Sequence, residues 1–170
     1  AKVRLSAVLA ARSDEQKARD ASRHPAATLE FFGIKSGMKI AEVLPGGGWY
    51  TRILAPYVGR DGAIYGINYA DELWPMFGYM SEEVVANRIA SMDKFSEQVA
   101  SYKGAAGVTA KGYAFDRIDP ALNGSLDAVL IIRAMHNLYR FEEQAGTLTS
   151  VLQQVAALLK EDGVVGVVQH

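Results

Sequence analysis

Five short, largely apolar segments, separated by stretches with helical spacing, are the feature that most constrains how this 170-residue chain can fold. They are residues 38–44, 63–68, 108–113, 126–133 and 164–169. The fourth, Leu126-Asp127-Ala128-Val129-Leu130-Ile131-Ile132-Arg133, is almost continuously apolar, as a strand covered on both faces must be. Between the segments, Ser13-Asp14-Glu15-Gln16 reads as a capping box, and Pro25 opens a helical stretch that Gly33 closes. A helix is expected over residues 49–58, and Arg60-Asp61-Gly62 then turns the chain into the second strand. Val85, Ile89, Met92, Phe95, Val99 and Tyr102 recur at helical intervals, giving one apolar face. Phe141, Ala145, Leu148, Leu152, Val155 and Leu159 form a long core-facing stripe, after which Asp162-Gly163 leads into the fifth strand. Strands alternating with helices predict an α/β fold, with a parallel sheet, right-handed crossovers and helices on both faces. Ligands of such folds bind at the carboxyl ends of the strands, where the winding reverses.

The residues after the first strand are Glu42-Val43-Leu44-Pro45-Gly46-Gly47-Gly48-Trp49-Tyr50-Thr51. A plain tight turn needs one glycine. Three in succession let the backbone approach a ligand with no Cβ in the way, and the helix behind them offers unpaired N–H groups and a partial positive charge. That suits a carboxylate or a phosphate. Thr51 stands where a dinucleotide fingerprint has its third glycine, and no glycine-rich loop ends in Gly-Lys-Ser or Gly-Lys-Thr.

Composition narrows the partners. Apolar residues at 49% and charged residues at 22% are a globular balance. Eighteen basic against nineteen acidic side chains give no bulk charge for a nucleic acid or an anionic membrane, and neither is expected as a partner. The absence of cysteine removes disulfides, thiolate metal sites and cysteine nucleophiles. No spacing brings three ligands together, so no metal is expected. No apolar run approaches the roughly eighteen residues of a membrane span. The basic, then alanine-rich start, residues 1–11, reads equally as the remnant of an export signal or as a helical arm; the cytoplasm is the default compartment.

Glu42, Gly46 and Gly48 fall on the first, third and fourth fixed positions of an acid-x-Gly-x-Gly-x-Gly motif, and here the chain resembles the class I S-adenosylmethionine-dependent methyltransferases. The lead-in Phe32-Gly33-Ile34-Lys35-Ser36-Gly37-Met38-Lys39-Ile40-Ala41 looks like that family's approach to the motif. Leu158-Leu159-Lys160-Glu161-Asp162-Gly163-Val164-Val165 looks like its entry into strand five. More narrowly, Arg12-Ser13-Asp14, Arg23-His24-Pro25, Phe31-Phe32-Gly33 and residues 45–51 are similar to a bacterial group of predicted methyltransferases of unassigned substrate. The resemblance spans residues 12–170. It implies a three-layer Rossmann-like methyltransferase fold with strand order 3-2-1-4-5, S-adenosylmethionine as cofactor and a small-molecule acceptor. The domain expectation is a helical cap over residues 1–35 and a cofactor-binding domain over 36–170, in a monomer or homodimer.

The same resemblance implies where the site lies. Glu42, Leu44, Pro45, Gly46, Gly47 and Gly48 would hold the cofactor's amino-acid end, with the cofactor's ammonium or loop N–H groups as partners for Glu42. Asn68 stands where the family has an acid for the ribose hydroxyls; an asparagine can accept one such bond without the charge-assisted part. Tyr69 would pack on the adenine, and Phe115 and Asp116 would meet its amine. In the segment facing the transferred methyl group, His136 is the candidate base, while Arg133 would clamp an anionic substrate or pair with Asp127 or Glu42. His24 and Tyr50 would approach the same mouth, His170 is a further candidate, and the helices bearing Arg23 and His24 would partly cover it. Leu44, in place of the motif's first glycine, and Pro45 require the loop to open differently. The family's sheet continues past strand five with a helix and an antiparallel hairpin, so the native polypeptide is expected to be longer and residues 164–168 to be an apolar edge. Three competing readings share these residues: a non-catalytic cofactor-holding protein, a nicotinamide-dependent oxidoreductase, and an interaction module that would leave the glycines unexplained.

Overall fold

The computed structural model describes residues 2–169. Its strands are β1 (Lys39–Val43), β2 (Ala63–Asn68), β3 (Thr109–Ala114), β4 (Leu126–Ile132) and β5 (Leu159–Val168). They form one sheet in the order β3-β2-β1-β4-β5, with every neighbouring pair parallel. The expected Rossmann-like methyltransferase order is therefore the observed one. The chain winds outward from β1 to β3 and then crosses back to β4, so the winding reverses between β1 and β4.

Four short helices precede the sheet: α1 (Leu5–Ala10), α2 (Asp14–Lys17), α3 (Asp20–Arg23) and α4 (Pro25–Phe31). The predicted capping box starts α2, with the Gln16 N–H donating to Ser13 Oγ and the Ser13 N–H donating to Gln16 Oε1, both at 3.3 Å. α5 (Thr51–Val58) joins β1 to β2. α6 (Leu73–Met76), α7 (Glu82–Ala90) and α8 (Phe95–Ser101) lie between β2 and β3, and α9 (Met135–Arg140), α10 (Glu142–Ala145) and α11 (Thr147–Leu158) lie between β4 and β5.

Successive residues of a strand point to opposite faces, and the core divides accordingly. Ile40, Ile64, Ala128 and Leu130 pack with Leu29 of α4, Ile53 and Leu54 of α5, and Phe95 and Val99 of α8. Ala41, Val43, Ile67, Val129 and Ile131 pack with Leu138 of α9 and Val151, Val155 and Leu158 of α11. Glu42 is in phase with Ile40, so it faces the α5 layer.

Two expectations are corrected. The apolar stripe of residues 85–102 does not serve one face. A 3₁₀ turn at Ser91–Lys94 separates α7 from α8, leaving Val85 and Ile89 against one core and Met92, Phe95 and Val99 in the other. The fifth strand also starts earlier than expected. Leu159 already pairs with Leu126, and regular pairing resumes at Val164 with Ala128, so Asp162-Gly163 falls in a bulge within the strand. Lys160 pairs there with Asp127 at 2.9 Å, anchoring a polar stretch that by sequence reads as a turn. β5 lies at the sheet's edge, where Val164, Val165 and Val167 are exposed. Among the described residues, no helix is long and apolar enough to cross a membrane.

α8 is seated by two glycines that pair across the sheet, Gly66 and Gly112. A Cβ on Gly112 would lie 2.4 Å from the Met92 carbonyl oxygen and 2.8 Å from Phe95 Cβ. Gly112→Ala is therefore expected to push α8 off the sheet and to destabilise the fold by about 1–3 kcal/mol. Urea unfolding measures this, and an unchanged midpoint would contradict the seating.

Candidate functional site

Glu42 is the buried charge around which the site is built. It is 5% exposed, and its Oε2 accepts a hydrogen bond from the Thr51 hydroxyl at 2.7 Å. Burial pushes its carboxyl up to about 7, a shift the Thr51 bond only partly offsets. Thr51, the residue that departs from a dinucleotide fingerprint, thus ties the first turn of α5 to the end of β1.

Between them the loop is held by unusual backbone conformations. Leu44 sits at φ 54°, the left-handed region in which the motif's glycine would be unstrained, and its N–H donates to the Ile67 carbonyl at 2.8 Å. The Gly48 N–H closes a turn on the Pro45 carbonyl at 3.0 Å. Gly48 itself has φ 83°, and a Cβ there would lie 2.5 Å from the Tyr102 hydroxyl. Arg52 Nη1 donates to the Gly47 carbonyl at 2.7 Å while its guanidinium stacks on Tyr102. Among the described residues, the N–H groups of Gly46 and Gly47 donate to no backbone or side-chain acceptor.

Two clefts open on either side of Leu44 and Pro45. The larger, about 680 Å³, is lined by Glu42, Gly47, Tyr50, Arg133 and His136, together with Glu15, Arg19 and Arg23 from α2, α3 and the turn between them. The smaller, about 270 Å³, is lined by Gly46, Gly48, Thr51 and Asn68, with Ser91, Met92, Phe95 and Tyr102 opposite. Asn68 Nδ2 donates to the Arg88 carbonyl at 3.3 Å and to Ser91 Oγ at 3.2 Å, which leaves its side-chain carbonyl as an acceptor. A carboxyl facing a cleft beside unpaired main-chain amides can take both ends of an α-amino acid, its ammonium and its carboxylate.

The fold thus brings Glu42, the Leu44–Gly48 loop, Asn68, Tyr50, Arg133 and His136 around one loop. Four other sequence candidates lie elsewhere. Tyr69 is 1% exposed, its hydroxyl donates to the Ala134 carbonyl at 2.6 Å, and its ring packs on Trp74 in the core. Phe115 and Asp116 line a separate cavity of about 240 Å³ beside Leu73 and Met76. His24 is exposed at the left-handed corner between α3 and α4, at φ 45°, and does not line the clefts. His170 lies outside the described residues. The anticipated Arg133–Asp127 pair is replaced, since Asp127 is taken by Lys160 and by the Lys39 N–H at 2.8 Å. Arg133 instead leaves β4 at φ 57°, its N–H donating to the Val168 carbonyl.

His136, in the first turn of α9, has Nδ1 3.3 Å from Gln169 Nε2. With the Gln169 amide donating, the neutral ring carries its proton on Nε2 and presents a donor to the cleft. With the amide reversed, Nδ1–H donates to the Gln169 oxygen and Nε2 offers a lone pair. Sequence reasoning missed Arg52, Arg19 and the role of Trp49. Trp49 Nε1 donates to the Gln16 carbonyl at 3.0 Å and its ring lies under the Arg23 guanidinium at 4.6 Å, roofing the larger cleft with α2 and α3. The only signal was an aromatic residue placed directly after the glycines.

A family model described as protein-L-isoaspartate(D-aspartate) O-methyltransferase (PCMT) matches residues 11–116, from the end of α1 through β3. The chain belongs to this family. It is accordingly a methyltransferase of the S-adenosylmethionine-dependent class, with S-adenosylmethionine as cofactor. Solved structures agree on the fold of this PCMT-family chain. A SAM-dependent methyltransferase from Aquifex aeolicus superposes with a TM-score of 0.51 at 21% identity, covering 94% of this chain and 69% of that one. The aminoglycoside resistance methyltransferase NpmB1 gives a TM-score of 0.50 at 16% identity, covering 89% and 61%. No curated protein matches the chain.

The raised carboxyl makes stability depend on pH. Glu42 holds its proton up to about 7 in the folded chain and releases it near its ordinary 4.5 when unfolded. The folded state then binds more protons over that window, so this contribution is complete below 4.5 and is lost as pH rises through about 7. Glu42→Gln keeps the acceptor for Thr51 and removes the proton. Urea unfolding between pH 4 and 8 is expected to show the variant gaining on the wild type, by up to about 3 kcal/mol. Parallel curves for the two proteins would place the titration outside this range.

Proposed function

We propose that this chain transfers a methyl group from S-adenosylmethionine to a small-molecule acceptor bound in the larger cleft. The observation that carries this reading is Glu42, a buried carboxyl with a single hydrogen-bond partner, beside unpaired glycine amides between the two clefts. In this reading Glu42 takes the cofactor's ammonium, the Gly46 and Gly47 amides its carboxylate, and the Asn68 carbonyl oxygen a ribose hydroxyl. When bound, S-adenosylmethionine supplies a methyl group already activated on a sulfonium. The protein's part is alignment and proton removal.

Tyr50, buried against Trp49, and Arg133 orient the acceptor. His136 takes the acceptor's proton at Nε2 when Gln169 accepts from Nδ1. Residues 1–35 act as a cover and 36–170 as the cofactor-binding unit, joined through the Trp49–Gln16 bond. The roofed cleft of about 680 Å³ is the size of a small-molecule site.

Titration calorimetry with S-adenosylhomocysteine is expected to show one site. Glu42→Gln should weaken it about ten- to a hundredfold, because a bond between charged groups is lost. At pH 6, binding should release a proton, as Glu42 ionises against the ammonium, and the variant should release none. Absence of heat from the folded chain would remove the proposal. Binding without transfer to any of a broad panel of acceptors would leave a cofactor-holding protein in its place.

A further inference from the structure

One wall of the larger cleft is basic in a way that the proposed cofactor contacts do not use. Arg19, Arg23 and Arg133 line this cleft and also an adjoining one of about 680 Å³, so one continuous surface carries all three guanidinium groups. The chain as a whole has a net charge of −1, so this is a local concentration of charge and not a property of the surface in general. Arg23 is held face-on to Trp49, with its guanidinium 4.6 Å from the ring centre. Burial first, and then the charges of Arg19 and Arg133, hold Arg23 below its usual range. Of the acids on this side, Glu15 and Glu42 line the same cleft, Asp20, the next residue after Arg19, is turned to Arg12 at 2.5 Å, and Asp127 is turned to Lys160. Cations gathered around a cleft, one of them stacked in a fixed orientation, are a receptor for a planar or tetrahedral anion.

We propose that this wall binds an anionic group of the methyl acceptor, a carboxylate or a phosphate, as a handle that is not itself methylated. This rests on the reading of the larger cleft as the acceptor site. Guanidinium hydrogen bonds occupy the lone pairs of the anion and stabilise its charge, which makes it a poorer nucleophile. The methylated atom is therefore a second group of the same molecule, nearer His136 and Glu42, and the substrate class is a small acid bearing a separate hydroxyl, amine or carbon nucleophile.

The test uses the full chain, saturated with S-adenosylhomocysteine, titrated with inorganic phosphate and separately with succinate. At least one probe is expected to bind at a single site, phosphate the tighter if the handle is a phosphate ester and succinate the tighter if it is a carboxylate. Arg19→Gln, at an exposed position, and Arg23→Gln should each weaken that probe about tenfold, and the double variant should abolish binding. Lys94→Gln, in the 3₁₀ turn between α7 and α8 and outside both clefts, should leave it unchanged. Affinity for S-adenosylhomocysteine and the thermal midpoint of Arg19→Gln should stay at wild-type values, separating loss of the handle from loss of the fold. Failure of both probes to bind, or equal binding by the double variant, would overturn the assignment. Anion binding by a chain that gives no heat with S-adenosylhomocysteine would overturn the cofactor reading and leave the basic wall as an anion site.

Discussion

The hydrogen bond from Thr51 to Glu42 is the contact on which the site's geometry depends. It joins the last part of the central strand to the first residue of the helix that leaves the glycine loop, fixing both ends of the loop. A charge in this position would normally be costly to bury without several partners. Here the carboxyl has one, and burial answers by favouring the proton. A group that is neutral when alone and can ionise against a cation changes state when a cationic partner arrives. The strand order makes the arrangement accessible: β1 lies between β2 and β4, and the chain diverges on either side of it.

Most of the architecture was legible in the sequence because its signals are local. Apolar runs bounded by turn residues gave all five strands, and Ser13 with Gln16 gave a helix start that the structure reproduces atom by atom. Failures came where the deciding contact is distant. Nothing near Asp162-Gly163 reveals that Lys160 will find Asp127 and draw the stretch into the sheet. Nothing near Tyr69 reveals that its hydroxyl will be taken by the Ala134 carbonyl, which withdraws the ring into the core. At the site, Glu42 and the glycines were visible as a motif. Arg52 and Trp49 were not, because their roles come from what the fold brings to them.

Backbone strain follows the same map. Among the described residues, Leu44, Arg133 and His24 are the non-glycine residues in the left-handed region. Two of them follow β1 and β4 directly, the strands flanking the reversal of winding, and the third turns the chain between α3 and α4. Such conformations cost of order 1–3 kcal/mol each and persist where surrounding contacts over-determine them. Leu44 is fixed by its bond to Ile67 and Arg133 by its bond to Val168, both reaching into neighbouring strands. The strain is thus carried by the sheet, the most rigid part of the molecule.

The roof of the larger cleft is built on a different principle. α2 and α3 are four residues each, too short to persist as isolated helices in water. Their position comes from side chains: Trp49 bonded to the Gln16 carbonyl, Arg23 stacked on the same indole, and Arg12 bridging Leu9, Gln16 and Asp20. Trp49 is also the residue that follows Gly48 in the loop. One aromatic side chain therefore links the backbone proposed to grip the cofactor with the helices that carry the arginines. Any shift of the loop on binding must move the indole, and with it the cationic wall that faces the acceptor.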